Sequence, residues 1–185
     1  MVSPCVPRFL TEIHMNRENV MFNALPANFA TDSDPSSLSS DSSNAFLAIA
    51  VGGLVAGTLD LLQACTLFGW RIPLVIAAGL LGRQAIHGGA GRYLLGVILH
   101  FFIACSAASI YYAASRQWTF LRENWVICGL FFGAAVEEAM NLVVLPLSAL
   151  HERGPYELHD LILGLVMHMI VIGLPIAYSV RRFAR

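Results

Sequence analysis

From residue 45 onward the chain is written in long apolar runs separated by short polar breaks, and the runs outlast what the core of a soluble domain needs. Four of them, 45–69, 91–115, 125–150 and 161–180, reach the roughly 20 predominantly apolar residues of a membrane-spanning helix. Helix is the open-chain form that satisfies every backbone group in hydrocarbon, so the pattern predicts an all-α polytopic membrane protein with four transmembrane helices. A fifth apolar piece, Ile72–Leu81, is about half the required length. Arg71, Pro73, Gly82 and Arg83 bracket it, and it reads as a short re-entrant or interfacial segment between the first and second spans. Trp70, Trp118 and Trp125 fall at span ends, where amphipathic rings settle at the headgroup level.

Residues 1–44 follow a different pattern. The run from Thr31 to Asn44 is almost wholly Ser, Asp and Asn, has nothing to bury, and is expected to be a disordered tail. Before it, 8–29 mixes Phe9, Ile13, Val20, Met21 and Phe22 with polar residues, a pattern that fits an interfacial helix. Pro4, Pro7, Arg8, Glu12 and Arg17 interrupt any signal-peptide core, so the tail is expected on the mature protein, with Met15 an alternative start.

Composition agrees with a bilayer as solvent: 57% of the 185 residues are hydrophobic and 12% charged. The net charge is -1, and all eleven basic residues are Arg, which excludes a basic nucleic-acid surface. Arg116, Arg122, Arg181, Arg182 and Arg185 flank one membrane face, and Arg71, Arg83, Arg92 and Arg153 the other. Counting Arg8 and Arg17 as well, the bias predicts cytoplasmic N- and C-termini. Cys5, Cys65, Cys105 and Cys128 form no C-x-x-C pair and read as small hydrophobes rather than a redox couple.

The chemistry lies in the polar residues that interrupt the spans: Asp60, His100, the pair Glu137 and Glu138 with Asn141, and His168. Ionisable groups within a membrane are expensive and mark functional sites by default. With a rise of 1.5 Å per residue, Asp60 lies about 14 Å from Gly69, His100 about 14 Å from Gly91, Asn141 about 14 Å and Glu137 about 20 Å from Leu150, and His168 about 10 Å from Leu161. Antiparallel neighbours bring all these ends to one membrane face, so the polar residues form a layer nearer the non-cytoplasmic side.

Side-chain direction points the same way. Gly53, Gly57, Asp60 and Ala64 share one stripe; so do Gly96, His100, Ala104 and Ala107; so do Gly129, Gly133, Glu137 and Asn141; and Gly164 precedes His168 by four. Small residues admit close helix approach, which turns these stripes and their polar members into the bundle interior. Glu138 sits about 100° round from Glu137 and faces a neighbouring helix or a second subunit.

Two imidazoles and two carboxylates suit a divalent transition metal, with His100, His168, Glu137 and Asp60 as ligands. The same residue types also relay protons. Haem is disfavoured, because it needs a wide apolar slot. A third reading is interhelical hydrogen-bond glue in a structural or partner-binding subunit. The loop 82–92, with Arg83, His87 and Arg92 among four glycines, could cradle a phosphate or lipid headgroup, or form a tight glycine turn.

No catalytic set emerges. Paired membrane glutamates occur in intramembrane proteases, but Leu142 stands where that motif has Arg, and Gly96 and Gly164 stand where its Phe precedes His. G-x-S-x-G, H-E-x-x-H and phosphate-loop patterns are missing.

Leu99-His100-Phe101, Tyr111-Tyr112-Ala113-Ala114-Ser115, Gly129 and Gly133, Val144-Leu145-Pro146-Leu147-Ser148, and the ending His168 through Gly173-Leu174-Pro175-Ile176 to Arg181-Arg182 resemble the YagU-like family. Its members are uncharacterised small four-helix bacterial inner-membrane proteins. The resemblance spans 91–182 and implies an inner-membrane location with no established reaction. The expectation is therefore a bilayer-embedded protein, a homo-oligomer or one with a membrane partner, that binds or conducts a cation or proton.

Overall fold

A computed structural model describes residues 35–151 and 157–184, with side chains from 43 onward. The expected helix over 8–29, the tail ahead of Pro35, and the loop residues Glu152 and Arg153 lie outside them. The chain divides after Leu38 into two units, and the fold here is that of the second. Every regular element among the described residues is helical: α1 Pro35–Phe68, α2 Ile72–Leu81, α3 Ala90–Gln117, α4 Phe120–Glu123, α5 Trp125–Leu147 and α6 Leu158–Phe183, with a 3-10 turn Arg83–His87 between α2 and α3. Four of these helices, α1, α3, α5 and α6, are long and apolar enough to cross a membrane, and α2 is the short fifth. Their outer faces carry Phe102, Phe131 and Leu147 at 68%, 73% and 80% exposure, the apolar cladding of a bilayer-embedded chain.

One boundary departs from expectation. The Ser-rich run is not linker throughout, because α1 already starts at Pro35. Proline is pre-set for the first helical turn. Once the apolar run has nucleated a helix, each further residue adds a bond at little cost, so the helix extends back through residues of indifferent propensity.

The small-residue stripes hold the bundle together. Gly53 lies against Cys105 and Gly57 against Ala104, closing α1 on α3. Ser179 donates its hydroxyl to the Ala48 carbonyl at 2.8 Å, tying α6 to α1. Gly129 and Gly133 close α5 on α6, and a Cβ at Gly133 would overlap the His168 carbonyl. Tyr111, Ile176 and Val180 fill the core at one end of the bundle. The backbones of α3 and α5, by contrast, stay apart along nearly their whole length. Tyr111 meets Phe132 edge-on across that gap, with centroids 4.9 Å apart.

α5 and α6 share an irregularity. Met140–Val144 and Met169–Gly173 are single π-helical segments, each ending two residues before a proline, Pro146 or Pro175. A helix-interior proline removes one N–H and drives its ring into the carbonyl four residues back. The wider turn absorbs that clash, and in α5 the Leu145 N–H bonds the Met140 carbonyl, five residues back. Both breaks lie in the same sequence repeat, Met, four residues, then Leu-Pro.

Candidate functional site

The four spans bring Asp60, His100, Glu137, Asn141 and His168 to one cavity of about 260 Å³. Its other walls are apolar: Ile72 and Ile76 of α2, Ile103 and Ala107 of α3, Val136 and Met140 of α5. The short helix is thus part of the site, because α2 packs so closely on α3 that Gly96 lies flat against the Pro73 carbonyl. Asp60 and Glu137 are each 9% exposed.

His168 is the hub. Its Nδ1 lies 3.0 Å from Glu137 Oε2 and 3.1 Å from the Gly164 carbonyl. A carbonyl only accepts, so Nδ1 carries the hydrogen and donates to both. The opposite ring nitrogen, Nε2, faces Asp60 Oδ1 at 4.0 Å. That is too long for a direct hydrogen bond. One imidazole on α6 therefore stands between a carboxylate on α1 and a carboxylate on α5.

The partners of the carboxylates set their orientation. Asn141 Nδ2 donates to Glu137 Oε1 at 3.0 Å, which leaves Oε2 for His168. Gly164 admits Glu137, since a Cβ there would strike Oε1. His100 Nε2 donates to the Gly57 carbonyl at 2.8 Å and lies 3.8 Å from Asp60 Oδ2. The four-residue spacing of Glu137 and Asn141, read from sequence as one face of a helix, is thus a direct bond. Sequence reasoning missed the Gly57 and Gly164 carbonyls and the α2 wall, although each glycine sat in a stripe already singled out.

The secondary candidates lie elsewhere. Glu138 is exposed on the outer face of α5, near mid-span, as its 100° offset from Glu137 requires. Arg83 and His87 are exposed on the 3-10 turn and do not line the cavity. In the glycine-rich loop the guanidinium groups serve the chain itself: Arg71 donates to the Ile86 carbonyl at 2.8 Å and Arg92 to the Gln84 carbonyl at 2.9 Å.

Among the described residues no three His, Cys, Asp or Glu side chains are arranged to hold a metal ion. His100 Nε2 and His168 Nδ1 donate to carbonyls, which leaves the other nitrogen of each ring as a lone-pair acceptor. Carboxylates and imidazoles side by side are residue types able to exchange protons.

No family, no curated protein and no solved structure matches this chain.

Proposed function

We propose that the chain is a multi-pass inner-membrane protein, with both termini cytoplasmic, that binds protons and passes them through His168. The observation that carries the reading is the single imidazole between two carboxylates of two other helices. In the forward step, a proton from protonated Asp60 reaches His168 Nε2 through one water bridging the 4.0 Å gap, while Nδ1 releases its own to Glu137 Oε2. One proton moves from α1 to α5 and the ring is left in the other tautomer, reset when the proton is passed on and the ring turns. Asn141 is a positioning residue that keeps Oε2 toward the ring, and His100, bonded to the Gly57 carbonyl, stands 3.8 Å from Asp60. The resemblance to the YagU-like family supports the inner-membrane location, and the exposed mid-span carboxyl of Glu138 supports an oligomer or membrane partner covering that face.

The test is proton flux into liposomes carrying the purified chain, driven by a potassium diffusion potential and read with a trapped pH dye. Flux above that of empty vesicles, lost in Glu137→Gln and His168→Ala at equal incorporation, is the expected result. Equal flux in all three preparations overturns the reading.

A second reading, a structural or partner-binding subunit, is favoured by one fact: Asn141, His100 and His168 each already have an intramolecular partner. It expects the same substitutions to lower the melting temperature in detergent without any flux to lose.

A further inference from the structure

The two buried carboxylates of the cavity are served unequally. Glu137 takes a hydrogen bond on each oxygen, from Asn141 Nδ2 at 3.0 Å and from His168 Nδ1 at 3.0 Å. Asp60 is as deeply buried, at 9% exposure, yet among the described residues neither of its oxygens accepts a hydrogen bond. The two imidazoles beside it bring no donor. His100 Nε2, 3.8 Å away, gives its hydrogen to the Gly57 carbonyl, and His168 Nε2, 4.0 Å away, is a lone pair because Nδ1 holds that ring's hydrogen. Asp60 and His168 Nε2 are thus two acceptors facing one another in a cavity with no Lys or Arg in its walls.

An ionised carboxylate buried without a partner is costly. It takes either a proton, as in the relay, or a cation that brings its own hydrogen bonds. A neutral alcohol supplies a donor and no charge, and an anion meets like charge. A transition metal finds no three side chains arranged for it among the described residues, and an alkali ion sheds water that Ile72, Ile76, Ile103 and Val136 do not replace. A primary ammonium meets both needs, since charge-assisted N–H bonds of about 2.8 Å let one nitrogen reach both acceptors across the gap. A quaternary ammonium carries the charge without a donor. The aliphatic walls set the rest of the molecule: a dry cavity of about 150 Å³ takes benzene, so 260 Å³ has room for a ring or short chain behind the nitrogen.

We propose that the mid-bundle cavity binds an amphiphilic primary amine as its ammonium ion, the nitrogen held between Asp60 and Nε2 of His168 and the apolar body against Ile72 and Ile76 of α2 and Ile103 of α3. The site goes beyond the proton relay and does not depend on it. An ammonium on Asp60 occupies the carboxylate that the relay protonates, so the bound amine competes with proton flux.

The test is isothermal titration calorimetry of the full-length chain in detergent with benzylammonium, benzyltrimethylammonium and benzyl alcohol, which share one ring and differ in charge and donors. Saturable binding of benzylammonium, about ten-fold or more tighter than that of the other two and weakened by a similar factor in Asp60→Asn, is expected. Equal affinity for the three ligands, benzylammonium binding unchanged in Asp60→Asn, or no saturable binding overturns the proposal. Should Asp60→Asn lose its helical circular dichroism, the three ligands on the wild type decide alone. The relay is judged separately in liposomes. Flux that depends on Glu137 without amine binding removes the amine site and keeps the relay, and amine binding without such flux keeps the site and removes the relay.

Discussion

The α1–α3 half gives the polar layer two residues, Asp60 and His100, and the α5–α6 half three, Glu137, Asn141 and His168, and their backbones differ as well. α1 and α3 are uninterrupted helices of 34 and 28 residues that close on one another through Gly53 and Gly57. They present Asp60 and His100 with spacing that a straight helix dictates, and His100 ties back to a backbone carbonyl on α1. α5 and α6 each break into a π segment at the site: Asn141 lies inside one and His168 immediately precedes the other. π segments recur at functional positions because the extra residue re-aims the side chains around it. The regular half thus acts as scaffold and the irregular half carries the short bond, 3.0 Å between His168 and Glu137 against 3.8 and 4.0 Å to Asp60.

The comparison breaks most severely at His168. His168→Ala leaves the buried Glu137 Oε2 without its hydrogen-bond donor, and an unsatisfied buried polar group costs about 1–3 kcal/mol, more when it is charged. Chemical denaturation in detergent should show a fall of that size together with loss of flux. Pro175→Ala sharpens the comparison from the other direction. Proline in a helix interior costs about 3 kcal/mol, so the replacement should raise stability by up to that amount and let α6 regularise. His168 then swings away from Glu137, and flux falls as the melting temperature rises. A drop in both would show that the π segment is not there to accommodate the proline.

Smaller effects follow from packing. Gly133→Leu forces a side chain into the His168 carbonyl, and overpacking of this kind costs about 1–3 kcal/mol. A lower unfolding midpoint and a weaker His168–Glu137 contact, read as reduced flux, are expected. His100→Ala removes a bond inside the scaffold half. Interhelical hydrogen bonds in membranes average about 0.6 kcal/mol, so its stability loss should be several-fold smaller than that of His168→Ala in the same assay. Equal losses at the two histidines would erase the distinction between the halves.

Most of the architecture was legible in the sequence because membrane spans are set by length and apolarity, and depth is set by helix rise. The four spans, the short Ile72–Leu81 helix and the five residues of the layer all follow from that arithmetic. The start of α1 at Pro35 did not, since Ser and Asp propensity alone marks linker and says nothing of a helix extended from its apolar side. The π segments were hidden for a related reason: Pro146 and Pro175 announce a break, but its form depends on where the displaced carbonyls find partners. Pairing was the least legible. That His168 Nδ1 turns to Glu137 while His100 turns to a carbonyl depends on re-aimed backbone, and the uses of Arg71 and Arg92 on their own loop depend on how a 3-10 turn folds.

The central claim is that His168 holds a proton on Nδ1 for Glu137 and offers Nε2 to Asp60. Nitrogen-15 NMR of the histidine-labelled chain in lipid reads both ring nitrogens directly, with the His168→Ala spectrum giving the assignment. The account predicts a protonated Nδ1 whose resonance shifts in Glu137→Gln and an Nε2 resonance that shifts in Asp60→Asn. A His168 ring protonated on Nε2 alone, and indifferent to both substitutions, would contradict it.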